Sequence, residues 1–291
     1  MRLFLDLTKF GIVCFILISG CVGYALSMAP GEPWVISHLV LTLATLYFLS
    51  AGSFALNQAQ EWMADQRMRR TVTRPIPSGK VTVRQAWLLG SVFVVICIVL
   101  GFAVNPLVAL LGALTVLLYN VLYTLYWKKK WAFGAVPGAI PGAMPVVIGY
   151  AANTNRLFQP DLIYAFLIMF LWQMPHFWSL AIRFKEDYSK AGFPVLPVII
   201  GTGRTLFHMG LYVFAYVGLA LASPWFTSTY VLYFVLVVPF AFKVLYEFYR
   251  FQNSSVEKQW LPFFLWTNFS VLVFLIVPVL DKWCEFIIAR M

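Results

Sequence analysis

Residues Asn57–Pro75 read "NQAQEWMADQRMRRTVTRP" and gather one Glu, one Asp and four Arg into a chain of 291 residues that is 62% hydrophobic and only 11% charged. The rest of the chain says what surrounds this cluster. A mean hydropathy of +0.82 and an aromatic content of 18% point to a polytopic membrane protein, with the bilayer as its main solvent. Runs of about 20 mostly apolar residues occur nine times, near 10–29, 34–56, 86–104, 107–127, 132–152, 161–182, 206–223, 226–249 and 261–280. The expectation is an all-α integral membrane protein, a bundle of nine transmembrane helices forming one domain over 1–291. The opening run, "FGIVCFILISGCVGYALSMAP", follows Arg2 and Lys9 as a secretory signal would. It is too long for such a signal and lacks a convincing cleavage site, so it counts as a span. Cys14, Cys21, Cys97 and Cys284 lie in or beside separate apolar runs without CxxC spacing, which reads as packing rather than disulfide or metal chemistry.

With the N-terminus on the cytoplasmic side, every Lys and Arg except Arg156, Lys282 and Arg290 falls on that side, as the topology of membrane proteins requires. The formal charge of +10 then reflects orientation in a bacterial-type cytoplasmic membrane and contact with anionic lipid. A nucleic acid partner is not expected. Most connections are short turns, such as "APGEP", "NP" and "SP", and the two long ones, 57–84 and 183–205, both fall on the cytoplasmic side.

In the first long connection Asn57, Glu61 and Asp65 are spaced i, i+4, i+8. If the second span continues through them as a helix, they share one face, since each step of four residues turns only about 40°. An amide and two carboxylates at a membrane edge are hard oxygen ligands of the kind Mg²⁺ takes together with waters and substrate phosphates. Arg67, Arg69, Arg70, Arg74 and Lys80 beyond them suit a polyanion such as diphosphate. The same spacing also suits a solvated helix with i, i+4 charge pairs. The sixth span adds Gln173 and His176, and polar groups inside a membrane are costly enough to be functional candidates.

Taken together, Asn57, Glu61, Asp65, Met68, "RT" at 70–71, "RP" at 74–75, "WQMPHF" at 172–177 and "DYSKAGFPVLPV" at 187–198 resemble the protohaem IX farnesyltransferase, or haem O synthase, branch of the UbiA-type intramembrane prenyltransferases. "LYTLYWKKK" at 122–130 and "GAVPGAIPGAMP" at 134–145 extend the likeness over nearly the whole chain. The resemblance implies that farnesyl diphosphate and haem b are joined to give haem O, with water added at the vinyl carbon and diphosphate released. It also implies Mg²⁺ as cofactor, a cavity in the bilayer capped by the two long loops, and haem A synthase or the oxidase assembly machinery as partners. Glu61 stands where many members have Asp, which fits the haem branch. The second loop departs from the Asp-rich pattern and keeps only Glu186, Asp187 and Tyr188.

On this resemblance the catalytic set is Asn57, Glu61, Asp65, His176 and Tyr188, and the metal set is Asn57, Glu61, Asp65, Glu186 and Asp187. Arg67, Arg70, Arg74, Lys80, Arg183 and Lys185 are the diphosphate candidates, with Arg183 and Lys185 also suited to haem propionates. His176 would face haem, as an iron ligand, a base or a proton relay, or else hydrogen-bond a neighbouring helix. Tyr119, Tyr123, Trp172 and Phe177 are plausible liners of a pocket that shields an allylic cation from water. Asn120 fits either a site or an interhelical bond. His38 and His208 fall outside any motif. The rival readings are a UbiA-type enzyme acting on a quinone precursor or other aromatic acceptor, and a secondary transporter. A transporter predicts charge at the bilayer midplane, whereas nearly all charge here lies at one face.

Overall fold

The computed structural model describes residues 2–288 and contains helices and turns, with no strand among the described residues. Arg290 and the side chain of Arg2 lie outside what is described. A short helix α1 (Arg2–Thr8) precedes α2 (Phe10–Ser27), α3 (Ile36–Asp65) and α4 (Val83–Val104). Helix α5 (Pro106–Val116) continues through a π-helical stretch, Leu117–Trp127, into a last turn, α6 (Lys128–Lys130). Next come α7 (Ala135–Ala151), α8 (Pro160–Arg183), the small helices α9 (Lys185–Lys190) and α10 (Leu196–Ile199), and α11 (Thr202–Leu221). A π turn, Tyr233–Val237, leads into α12 (Val238–Gln252), and α13 (Val256–Ile288) is the last helix among the described residues.

Each of the nine expected runs is helical, but among the described residues only seven helices are long and apolar enough to cross a membrane by themselves. The fifth run is α7, held to 17 residues with Pro141 and Pro145 inside it. The eighth is divided between the π turn and α12, whose Lys243, Glu247 and Arg250 lower its apolarity. Helix α3 is the opposite case. Its 30 residues span about 45 Å at 1.5 Å per residue, against a hydrocarbon core of about 30 Å. The last turns therefore stand beyond the apolar layer and carry the Asn57/Glu61/Asp65 stripe with them. The most apolar window of α3 is 61% buried in protein and that of α4 only 17%, so α3 is an inner helix and α4 faces lipid.

Side chains fix the ends of the helices. Thr82 and Gln85 form a reciprocal cap that closes the first loop and starts α4. Asn105 caps α5 through Val108 N (2.9 Å) and uses its amide to hold Ala151 O (2.9 Å) at the end of α7. Fully buried Asp281 accepts from the backbone N–H groups of Tyr230 (2.8 Å), Leu232 (3.1 Å) and Tyr233 (3.0 Å), so a carboxylate on α13 caps the eighth crossing. Lys282 donates to Leu26 O (2.7 Å) and Met28 O (2.8 Å) at the end of α2 and ties α13 to it.

Helix α2 packs along α7, and α13 packs against both α8 and α2. The α2–α7 contact needs glycine, because a Cβ on Gly149 would come to 2.0 Å from Gly20 O. The Pro/Gly-rich run thus makes the close backbone approach its composition suggests. All four cysteines are free, two histidines outside the motifs serve packing, and His38 meets Tyr24 OH at 3.3 Å while His208 stands edge-on to Phe133 at 5.2 Å.

Candidate active site

The C-terminal end of α3 is joined to the π-helical stretch by three bonds in one register. Asn120 Nδ2 donates to Ser53 O (2.9 Å), Asn57 Nδ2 to Thr124 Oγ1 (3.2 Å), and Lys128 Nζ to Glu61 Oε2 (2.7 Å), each pair 67 positions apart. A constant offset with four-residue steps means two helices running in the same direction with polar stripes face to face. Thr124 Oγ1 in turn donates to Tyr119 O, five residues back, which is the carbonyl that π-helical winding leaves within reach (2.8 Å). Asn120 therefore makes interhelical bonds, with Gln60 Nε2 donating to its carbonyl at 3.0 Å as well.

Asn57, Glu61 and Asp65 are all buried, and each is matched by a cation. Lys9 Nζ donates to Asn57 Oδ1 (3.3 Å) and stands 5.0 Å over the Phe54 ring. Lys128 pairs with Glu61, and Arg74 Nη1 donates to both Asp65 oxygens (2.9 and 2.7 Å). Lys9 reaches this place because its backbone is left-handed, with φ of 51°, between α1 and α2. That conformation is costly for a residue with a Cβ. Gln58 holds it by donating to Asp6 O (3.1 Å) and Leu7 O (2.7 Å), the last carbonyls of α1. Burial, and then the neighbouring Arg74 and Lys128, bring the Lys9 ammonium down to about 7, against a smaller upward pull from Glu61 and Asp65.

The second loop reaches the same end of the bundle. Arg70 Nη2 donates to Tyr188 OH (2.6 Å), and its guanidinium lies over the Tyr188 and Phe184 rings at 4.9 and 5.4 Å. Met68 packs with Ala181, Tyr188, Phe193 and Val195, so the loops meet through an apolar contact. Gly192, at a φ of 77°, turns the chain so that Phe193 N bonds back to Tyr188 O (3.0 Å). Asp187 is buried, Lys185 half-buried, and Glu186 and Arg183 exposed, the latter 5.7 Å from the Phe184 ring. Arg67 is exposed, and Lys80 borders an open cleft of about 1100 Å³ shared with Lys9, Thr73 and Arg74.

Among the described residues no three His, Cys, Asp or Glu side chains form a group able to hold a metal. Glu186 stays at the surface, so the five oxygen-bearing residues named from the sequence do not converge on one point. What the site offers a cation is narrower: Glu61 Oε1, buried and without a hydrogen-bond partner among the described residues, beside Asn57 and Asp65. That fits an ion which keeps waters and takes substrate phosphates as ligands.

Next to this polar end lies a cavity of about 270 Å³ walled by α2, α3, the π-helical stretch, α7 and α8. Tyr119, Tyr123, Trp172 and Phe177 all line it, with Tyr119 stacked on Tyr123 at 5.8 Å and Trp172 against Phe15 at 5.1 Å. No charged side chain is among its lining residues, while Gln173 and His176 supply polar groups. Gln173 Nε2 donates to Ala139 O and Met169 O, both at 3.0 Å. Lys9, Gln58, Thr124 and Lys128 are the participants that motif reading passes over. The signal for two of them lies in the sequence, because Asn120, Thr124 and Lys128 repeat the four-residue spacing of Asn57, Glu61 and Asp65.

A family model described as the UbiA prenyltransferase family matches residues 16–268. The chain is 50% identical over 283 residues to protoheme IX farnesyltransferase of Bdellovibrio bacteriovorus, covering 97% of both chains. It is 34% identical over 216 residues to that of Leptospira biflexa, covering 74% of this chain and 75% of the relative. Among solved structures, digeranylgeranylglyceryl phosphate synthase in membranes superposes with a TM-score of 0.76 at 19% identity, over 96% of this chain and 98% of that one. A UbiA homolog from Archaeoglobus fulgidus bound to GPP and Mg2+ gives a TM-score of 0.67 at 20% identity, over 94% and 99%. These two likenesses concern the fold.

Proposed function

The chain belongs to the UbiA prenyltransferase family, among its protoheme IX farnesyltransferases, and from that membership we propose that it transfers a farnesyl group from farnesyl diphosphate to a vinyl group of haem b, with addition of water, giving haem O and diphosphate. It does so as a multi-pass membrane protein, one domain over 1–291 whose loops 57–84 and 183–205 cap the cavity. Its N-terminus lies on the cytoplasmic side of a bacterial-type cytoplasmic membrane, which the Lys and Arg distribution supports.

The observation that carries the reading is the buried row of Asn57, Glu61 and Asp65 set against Lys9, Lys128 and Arg74 beside an uncharged aromatic cavity. An allylic diphosphate reacts when its C1–O bond ionises, and fixed positive charge where the leaving group gathers negative charge lowers that barrier. Lys9, Lys128 and Arg74 do this at the site, Arg70 and Lys80 flank it, and Arg67, Arg183 and Lys185 attract the anionic groups from the rim. Asn57, Glu61 and Asp65 would hold Mg²⁺, without Glu186 and Asp187 of the second loop, and the ion's contribution is to neutralise the departing diphosphate. The aromatic walls shelter the allylic cation, Tyr188 holds Arg70 over the mouth, and Arg183 and Lys185 are free to pair with haem propionates. His176 faces the acceptor inside the cavity.

Purified protein supplied with haem b, farnesyl diphosphate and Mg²⁺ tests this directly. The pigment should gain the mass of a farnesyl group and one hydroxyl, since the added water gives up a proton. A pigment unchanged in mass, with a quinone precursor prenylated in its place, would move the assignment to the other UbiA branch.

A further inference from the structure

The cavity has a mouth and a floor. At the mouth, Lys9 stands 5.0 Å over the Phe54 ring and Lys128 6.0 Å over the Tyr123 ring, and both rings line the cavity. On α8 the same end is marked by Phe177, which meets Tyr188 of the second loop at 6.2 Å. A diphosphate held by Lys9 and Lys128 therefore starts its prenyl chain here. From this end the lining runs down α7 from Ala135 to Pro145 and down α8 from Phe177 to Met169. At 1.5 Å per residue those two walls are about 15 and 12 Å long.

The floor is made by one side chain seated on a glycine. The deepest lining residues of α3 are Leu49 and Ser50, and one turn below Ser50 is Leu46, which is fully buried. The deepest of α2 is Ile16, and one turn below it is Gly20. Leu46 crosses from α3 to α2 and lies on Gly20 so closely that a Cβ there would strike its Cδ1, with Pro145 O 3.7 Å away. Since Pro145 is the last lining residue of α7, three helices close the cavity at one level. Beneath that level the backbones of α2 and α7 touch, Gly23 at Val146 O and Gly149 at Gly20 O. Leu46 packs there with Tyr24, Met144 and Ile148 in a buried cluster.

We infer that Leu46, seated on Gly20, sets the length of the prenyl chain that is accepted; the inference rests on the reaction proposed above. The lengths agree. From C1 to its last main-chain carbon a farnesyl group has eleven carbon–carbon bonds, and an extended zigzag of roughly 1.5 Å bonds then reaches about 14 Å. That matches the depth from the mouth to Pro145. A geranylgeranyl group has four bonds more, about 5 Å by the same geometry. Its end would have to enter the place of Leu46, one helical turn of about 5.4 Å further down. A close-packed interior does not yield that much. Cutting Leu46 back to Cβ opens this turn, and the contact of α2 with α7 beneath it becomes the new floor.

The test compares geranyl, farnesyl and geranylgeranyl diphosphate as donors to haem b, with kcat/KM read from pigment mass in wild type, Leu46→Ala and Ser50→Leu. Wild type should use farnesyl at least tenfold better than geranylgeranyl diphosphate, since one methylene too many in an apolar pocket already costs about tenfold or more. Leu46→Ala should raise the geranylgeranyl-to-farnesyl ratio at least tenfold. Ser50→Leu fills the space above Leu46 and should raise the geranyl-to-farnesyl ratio by a similar factor, and it carries the test if Leu46→Ala does not fold. A purely structural role for Leu46 would lower all donors together and leave the ratios alone. Ratios within threefold of wild type in the variants that fold, or a wild type that takes geranylgeranyl as readily as farnesyl, would overturn the inference. A wild type that leaves haem unchanged and prenylates an aromatic precursor in its place overturns the reaction reading, and the same ratios on that product then decide on the floor by themselves.

Discussion

Lys128 has two roles at the site, and Lys128→Met separates them. Its ammonium lies 2.7 Å from Glu61 Oε2, with side chains 16% and 3% exposed. At that distance the gross attraction is about 6 kcal/mol for an effective dielectric of about 20. Desolvation of both groups offsets much of it, but removing one partner strands the other, which costs about 3–5 kcal/mol. Lys128→Met should therefore lower stability by that amount, measured by thermal unfolding in detergent. Glu61→Gln/Lys128→Met should recover most of the loss, because no unpaired charge stays buried. The second role is chemical. Taking away one fixed cation from a developing negative charge costs about 10²–10³ in kcat, so Lys128→Met assayed at a temperature where it remains folded should lose haem O formation by that factor at saturating substrate. A kcat within threefold of wild type would reduce Lys128 to a counterion for Glu61. A double variant as unstable as the single one would refute the account of the buried pair.

Asp281→Ala leaves the backbone N–H groups of Tyr230, Leu232 and Tyr233 without their acceptor, so stability should fall by about 3 kcal/mol or more, seen as a lowered Tm with kcat per folded molecule unchanged. Gly149→Ala puts a carbon where Gly20 O already sits; it should prevent α2 and α7 from closing and abolish a monodisperse peak in size-exclusion chromatography. Lys9, brought down to about 7, is mostly neutral at pH 8 in the free protein, and an arriving diphosphate raises it again. Binding at pH 8 should then take up close to one more proton in wild type than in Lys9→Met, and no more at pH 6, by calorimetry in buffers of different ionisation enthalpy. Equal uptake by both proteins at pH 8 would remove Lys9 from the anion site.

The helical order of the chain is legible because apolar runs separated by Pro/Gly turns leave few alternatives, and the α3 stripe is legible because a four-residue spacing survives any moderate error in the helix ends. Lys9 and Lys128 are harder to see. In a membrane protein, lysines at the cytoplasmic face are already explained by topology, which hides a second role. Lys9 also depends on one left-handed residue between two helices, a feature that no periodicity reports. The eighth crossing loses regularity to a π turn whose first residue, Tyr233, is held by Asp281 of α13, far away in sequence. The carboxylates of the second loop look equivalent as letters, yet Asp187 faces inward and Glu186 outward.

The constant offset of 67 between Ser53 and Asn120, Asn57 and Thr124, and Glu61 and Lys128 sets where this chain can change length. The turns beyond Arg74, at 75–82 and outside α3 and α4, can absorb an inserted residue, since only the count between the two stripes shifts and each stripe keeps its own spacing. One residue inserted within 54–60 or 121–127 is different. It rotates everything beyond it about a quarter turn or more around its helix, so the rungs on the far side part together. Natural variants of this protein should accordingly show length differences in the connections and none inside these two windows, a pattern that a survey of sequences can check without any assay.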